Sequence, residues 1–173
     1  VDNLQISTVY YVRAYAINDN GISYGNEVKF TTLTPDLPTM TIDEISNITF
    51  NSAVSGGDIL DDGNGTIITK GLCYSTSPNP TTSDFLTDNG SGLGAFTSNI
   101  TANVFASTTY YVRAYATNES GTGYSEELSF TTLAPVLATI TTNDISDFSA
   151  TTVTGGGNIS NNGGAEVTAR GVC

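Results

Sequence analysis

The sequence predicts an all-β protein built from tandem β-sandwich modules that repeat every 100 residues. Residues 1–73 align with residues 101–173 without a gap, and 30 of the 73 aligned pairs are identical. A fixed period of this kind is typical of a repeat array. Within each period, short segments rich in Thr, Val, Ile, Phe and Tyr alternate with Gly, Asn, Ser and Asp clusters, which is the pattern of strands separated by turns.

The period divides the chain into three parts. We expect residues 35–134 to form one complete module, since about 100 residues is a common size for a domain with its own core. Residues 1–34 would supply the last two strands of a preceding module, and residues 135–173 the first three strands of a following one. So few strands bury little core by themselves.

The clearest strand is predicted over residues 108–118, where the side chains alternate with a period of two. We expect an inward face made of Tyr110, Val112, Ala114 and Ala116. We expect an outward face made of Tyr111, Arg113 and Tyr115. Upstream, a second inward stripe is formed by Phe96, Ile100 and Val104.

Composition argues against several functions. The chain has 17 acidic and 5 basic residues, for a net charge of −12, so nucleic acid and anionic lipid are poor partners. No apolar run is long enough to insert into a membrane. There is no histidine, and hence no Ser/His or Cys/His pair for nucleophilic catalysis. We therefore expect no enzyme activity and no cofactor.

The same strand also carries a family resemblance. It belongs to a longer motif, Val104-x-Ala106-x-Thr108-x-Tyr110-x-Val112-x-Ala114-x-Ala116-x-Asn118-x-x-Gly121. This motif resembles the E–F corner and strand F of a fibronectin type III module, a fold of the immunoglobulin-like sandwich type. The resemblance implies that Tyr10 and Tyr110 are tyrosine-corner residues, whose hydroxyl bonds to backbone just upstream. The buried Trp usual in these modules is absent, and glycines occupy that part of the chain.

The glycine-rich variant, with its Lys70-Gly71-Leu72-Cys73 segment, is similar to repeats in long surface proteins and adhesins of Bacteroidetes-type bacteria. That similarity implies a structural or adhesive repeat segment of an extracellular surface protein, in a stalk, filament or adhesin. Its partners would be neighbouring modules of the same chain and a host or surface glycan or protein. Two alternatives remain: spacer modules of a secreted multidomain polysaccharide-degrading enzyme, and a glycan- or protein-binding module.

One metal site is a hypothesis. In fibronectin-like topology, the B–C and F–G loops lie at the end where the chain enters the module. The acids predicted there are Asp36 on the linker, Asp58, Asp61 and Asp62 on the B–C loop, and Glu119 on the F–G loop. Calcium takes about six to eight oxygen ligands, so these acids would form a weak Ca²⁺ site. The alternative is an acidic turn-rich loop without metal, which the neutral asparagines at the matching positions 158, 161 and 162 favour.

Two further features have open interpretations. The stripe of Tyr11, Arg13 and Tyr15 recurs one period later, and either binds a glycan or neighbouring chain or packs across strands. Each period has one cysteine, Cys73 and Cys173. It is interpreted either as a buried free thiol, or as an inter-chain disulfide or a lipid or metal attachment point.

Overall fold

The computed structural model describes residues 1–173 as β-strands joined by turns and loops. It contains no helix that could cross a membrane. The first part of the chain has strands β1 (Val9–Val12), β2 (Tyr15–Asn18), β3 (Gly21–Tyr24) and β4 (Val28–Thr31). The middle part has β5 (Thr39–Ile42), β6 (Ala53–Asp61), β7 (Thr69–Ser75), β8 (Phe85–Leu86), β9 (Gly94–Ile100), β10 (Thr109–Asn118), β11 (Gly121–Tyr124) and β12 (Leu128–Thr131). The last part has β13 (Thr139–Thr142) and β14 (Gly157–Asn161).

The middle part is a sandwich of two antiparallel sheets. One sheet has the order β5-β6-β9, and the other has the order β8-β7-β10-β11, with β12 also pairing with β10. The strands β11 and β12 follow one another along the same edge of β10. This topology is that of a fibronectin III/immunoglobulin-like sandwich, which confirms the prediction of an all-β sandwich fold.

A single hydrophobic core lies between these two sheets. It is formed by 13 buried residues, all between positions 53 and 130: Ala53, Ile59, Ile67, Leu72, Tyr74, Phe96, Ile100, Val104, Tyr110, Val112, Ala114, Ala116 and Phe130. Both predicted inward stripes are therefore confirmed. Aromatic rings pack together within this core: the ring of Tyr110 stacks on Phe130 at a centroid distance of 5.6 Å and meets the ring of Tyr74 edge-on at 6.4 Å.

The outer face of β10 differs from the prediction at Tyr115. This side chain does lie on the outward face, but only 2% of it is exposed. The reason is that the segment after β8 covers it, and its hydroxyl donates a hydrogen bond to the carbonyl of Thr87 at 2.9 Å. The corresponding Tyr15, which has no such cover, is 68% exposed.

Cys73 lies on that same outer face, opposite Arg113 in the β7–β10 register. Its thiol is buried and free, and Sγ lies 3.4 Å from the carbonyl oxygen of Pro80, in the segment that follows β7. Burial raises the pKa of the Cys73 thiol from 9.0 to about 11. Cys173, by contrast, is free and exposed. The buried-thiol interpretation therefore fits only the first of the two cysteines.

The flanking parts repeat fragments of this sandwich. The pairing of Tyr10 with Phe30 between β1 and β4 reproduces the pairing of Tyr110 with Phe130 between β10 and β12. The pair β13–β14 reproduces β5–β6, including a register shift at its first residue. Residues 165–173, where the third strand of this part is predicted, are not paired as a strand. The equivalent strand β7 is held by β10, and no such neighbour lies beside residues 165–173.

Candidate functional site at the module junctions

The linker enters the complete module beside Asn118, the last residue of β10. The side chain of Asn118 is buried, and its Nδ2 donates to the carbonyl oxygens of Asp36 at 2.7 Å and Asp62 at 2.8 Å. Its Oδ1 accepts hydrogen bonds from the amides of Ser120 at 2.9 Å and Gly121 at 3.2 Å. One side chain thus uses its full hydrogen-bonding capacity to tie together the linker, the turn after β6 and the turn after β10.

A backbone hydrogen bond adds to this clamp and recurs at the next junction. The amide of Asp36 donates to the carbonyl of Gly63 at 2.8 Å, and the amide of Val136 donates to the carbonyl of Gly163 at 2.7 Å. Both glycines have a left-handed backbone, with φ of +69° and +71°. A Cβ at Gly63 would lie 2.2 Å from the carbonyl oxygen of Asp36, and one at Gly163 would lie 1.9 Å from that of Val136. Glycine is therefore required at this turn for the linker to dock against it.

The chain leaves the complete module at its opposite end. The amide of Leu133 donates to the carbonyl of Thr49 at 2.9 Å, in the turn between β5 and β6. Phe50, in the same turn, packs against the following module, where a Cβ added to Gly164 would lie 2.6 Å from its ring. The exit linker therefore contacts turns of both modules that it joins.

The candidate calcium ligands lie near the entry junction, but two of the three acids predicted on the B–C loop belong to a strand. Strand β6 continues as far as Asp61, which is its last residue, and Asp58 lies inside the strand. Asp58 pairs with Thr41 of β5 on one side and with Ala95 of β9 on the other. The alternation that would have shown this is interrupted upstream by Gly56 and Gly57.

Three of the remaining acids accept hydrogen bonds from backbone amides through their carboxylates. Oδ1 of Asp61 accepts from the amide of Gly63 at 2.7 Å, and Oδ1 of Asp62 accepts from the amide of Asn64 at 2.9 Å, which are side-chain turns of the Asx type. The carboxylate of Glu119 accepts from the amide of Thr66 at 2.7 Å, and this bond lowers the pKa of Glu119.

The structure does not gather these acids into a metal cage. Asp36 contributes its backbone carbonyl to the junction, through Asn118. No group of three or more His, Cys, Asp or Glu residues is placed to hold a metal ion. The calcium site stays a prediction, for which the Discussion gives a test.

The tyrosine-corner candidates both bond to upstream backbone. The hydroxyl of Tyr110 donates to the carbonyl of Asn103 at 3.0 Å and accepts from the amide of Phe105 at 2.9 Å. The hydroxyl of Tyr10 accepts from the amide of Gln5 at 2.9 Å. In the complete module, the corner thus holds the loop before β10 onto the core.

Sequence reasoning missed two structural side chains. Tyr74 is a second anchor of the same loop, because its buried hydroxyl donates to the carbonyl of Ala102 at 2.8 Å. Asn118 is the linker clamp described above, and the repeat offered a signal for it, since Asn18 stands one period earlier at the end of β2. No local sequence pattern indicates that Tyr74 anchors this loop.

The arginine of the repeated Tyr-x-Arg-x-Tyr stripe contacts a tyrosine on the neighbouring strand in both repeats. The guanidinium of Arg113 lies 4.7 Å from the ring centroid of Tyr124, and its Nε donates to the carbonyl of Ser125 at 3.0 Å. Arg13 lies over Tyr24 in the same way at 5.1 Å. These contacts favour the cross-strand packing interpretation over a ligand-binding face.

No protein-family model and no curated protein matches the chain. Among solved structures, the FN1–FN3 domains of chicken CNTN1 are 13% identical with a TM-score of 0.47, covering 75% of this chain and 44% of that one. Domains d3–d4 of the rat CD45 extracellular region are 19% identical with a TM-score of 0.45, covering 76% and 67%. The sensor domain of the anti-sigma factor RsgI4 in Pseudobacteroides cellulosolvens is 22% identical with a TM-score of 0.43, covering 57% and 97%. These neighbours are fibronectin type III domains and similar β-sandwich modules.

Proposed function

We propose that this chain is a structural and adhesive repeat segment of an extracellular surface protein, in which docked modules form a stalk or filament. The observation that carries the proposal is the recurrence of linker docking. The same amide-to-carbonyl bond joins Asp36 to Gly63 at one junction and Val136 to Gly163 at the next.

The junctions are built to resist bending. Pro35 and Pro38 of the entry linker are buried, and proline limits rotation about φ. Asn118 adds two hydrogen bonds to the same region. A linker held at these points transmits the orientation of one module to the next, whereas a flexible linker would not.

The modules are also suited to carry tension along the chain. The entry linker docks beside Gly63, and the exit linker docks beside Thr49, at the other end of the sandwich. A strand of ten residues such as β10 spans about 33 Å, so each module would add roughly that length to a stalk. A pull on the linkers would load the paired strands of the whole module.

The surface charge is compatible with this role. A net charge of −12 disfavours binding to nucleic acid and keeps modules of the same kind from aggregating through their sides. The remaining partners under this proposal are neighbouring modules of the same chain and a surface glycan or protein.

The test is to locate the protein on cells of its source organism. Antibodies raised against residues 35–134 should label intact cells, at a distance from the cell envelope visible by immunogold electron microscopy. External protease should remove the label, and deletion of the gene should reduce attachment to surfaces. Label found only in the medium, in a chain that degrades polysaccharide, would reject the stalk in favour of enzyme spacer modules.

A further inference from the structure

A groove opens between the two sheets of the complete module, beside its last strand. Its volume is about 310 Å³, and it is lined by Glu44, Ile45 and Ile48 on one side and by Leu128, Ser129 and Phe130 on the other. Ile45 and Ile48 pack against the hydrophobic core but are only partly buried. The groove therefore gives access to apolar side chains at the margin of the core.

The wall formed by β12 also presents unpaired backbone groups. The amide of Thr132 donates to the carbonyl of Thr108 at 3.0 Å, and hydrogen-bonded pairs alternate with open pairs along antiparallel strands. The amides and carbonyls of Ser129 and Thr131 therefore point away from β10. No strand other than β10 pairs with β12, so these groups have no backbone partner.

The same edge already binds one backbone partner farther along. The amide of Leu133, two residues after β12, donates to the carbonyl of Thr49 at 2.9 Å, so the groove continues into the exit junction. Strand β12 carries no proline or charged residue that would block pairing, whereas β4 has Lys29 at the position of Ser129. The edge of the complete module is thus open to a further strand.

The charges around the groove select the partner. Glu44 lines the groove and Glu126 precedes β12, and both are exposed. The two basic residues between positions 35 and 134 are engaged elsewhere: Nζ of Lys70 donates to two backbone carbonyls at 3.1 Å, and Arg113 lies over the ring of Tyr124. We propose that an extended peptide segment of another protein, with basic residues alternating with apolar ones, docks in this groove as a strand paired with β12.

The docked strand uses both features of the groove. Its backbone pairs with Ser129 and Thr131, its apolar side chains contact Ile45 and Ile48, and its basic side chains lie near Glu44. A second copy of this chain is a poorer occupant, because two chains of net charge −12 repel each other. Docking requires only the sandwich, so it holds whether or not the modules form a stalk.

Calorimetric titration of the 173-residue chain tests the choice of partner. The probe is a synthetic peptide of about eight residues, within the usual length of a strand, in which valine alternates with lysine. It should bind saturably, and the same peptide with glutamate in place of lysine should not. Glu44→Lys should weaken binding at least fivefold more than Asp58→Lys, which changes the net charge equally on the outer face of the other sheet. Equal weakening, or binding that does not saturate, would overturn the proposal.

Amide hydrogen exchange locates the bound peptide. The probe should slow exchange at Ser129 and Thr131 of the parent chain at least tenfold. Ser129→Pro removes an amide that points away from β10 and should weaken binding at least tenfold, whereas Ser129→Ala keeps that amide and should bind as the parent does. The exchange result on the parent chain decides the matter even if Ser129→Pro does not fold. Protection confined to other strands would overturn the proposal. So would protection of these amides that rises with chain concentration in the absence of peptide, which would identify a second copy as the occupant.

Discussion

The side-chain amide of Asn118 donates a hydrogen bond to the carbonyl of Asp36, 82 residues earlier in the chain, at 2.7 Å. Asp36 belongs to the linker and Asn118 to the end of β10, so the bond couples the direction of the incoming chain to the sandwich. The glycine turn at Gly63 makes the second contact with the same linker residue. Such contacts would determine whether neighbouring modules keep a fixed relative orientation or are joined by a flexible linker.

Gly63→Ala should release the entry linker. The new Cβ would meet the carbonyl oxygen of Asp36 at 2.2 Å and would also sit on a backbone with φ of +69°. Gly92→Ala is the matched control, because Gly92 has a similar φ of +83° but nothing within 4 Å of the added Cβ. We expect a backbone cost of about 1–2 kcal/mol in both variants and an additional loss only in Gly63→Ala.

The measurement is thermal unfolding of the two variants, with amide hydrogen exchange at Asp36 as the local readout. Exchange at Asp36 should accelerate in Gly63→Ala and stay unchanged in Gly92→Ala. Unchanged protection of that amide in both variants would show that the glycine turn does not hold the linker.

Tyr110→Phe should destabilise the complete module by about 1–2 kcal/mol, because it leaves the backbone groups of Asn103 and Phe105 without their partner. Tyr111→Phe, on the outer face of the same strand, should change the free energy of unfolding by less than about 0.5 kcal/mol. Denaturant unfolding of both variants is the measurement. A loss in Tyr110→Phe no larger than that in Tyr111→Phe would mean that the corner hydrogen bonds of Tyr110 add no particular stability.

Stability should fall at alkaline pH partly because of Cys73. The folded state keeps the thiol protonated up to a pKa of about 11, whereas the unfolded chain loses the proton near 9.0. The contribution is therefore fully present below pH 9 and is lost as the pH rises towards 11. Burial also raises the pKa of Tyr74 and of Tyr115, and these hydroxyls add a loss of the same sign at higher pH.

Urea unfolding of the parent chain and of Cys73→Ala across this pH range separates the two contributions. The variant should be less stable at neutral pH, because it loses a buried side chain, but its stability should decline less between pH 9 and 11. Parallel curves for the two proteins would show that the Cys73 thiol does not titrate with unfolding.

Calcium should have little effect on this chain. Asp61 and Asp62 already accept backbone hydrogen bonds, and the acids near the junction form no group that could hold a metal ion. Thermal melts in millimolar Ca²⁺ and in chelator should coincide, since a specific site at a hundredfold excess over Kd would add about 2.7 kcal/mol. A rise of several degrees that Asp61→Asn with Asp62→Asn abolishes would establish a calcium-stiffened junction.

The sequence was a good guide to the faces of strands and a poor guide to what covers them. Alternation with a period of two placed Tyr110 and Val112 inward, because adjacent side chains must point to opposite sides of a sheet. The same rule placed Tyr115 correctly on the outer face. It could not predict that the segment around Thr87 buries this side chain, because that segment comes from a distant part of the chain. The linker clamp was missed for a similar reason, since Asn118 reaches a backbone carbonyl 82 residues away.

The most direct test of docked, semi-rigid modules is small-angle X-ray scattering on two complete modules. The protein to be measured is residues 35–173 followed directly by a second copy of residues 74–134. The added residues complete the sandwich that begins at residue 135, and the junction between Phe50 and Gly164 is retained. We predict a maximum dimension of about 70–80 Å with a narrow distance distribution. The distribution should become broader when the Asn118 that belongs to the second module is replaced by Ala. A broad distribution in the parent protein, unchanged by Asn118→Ala, would contradict the account, because the modules would then be tethered and not docked.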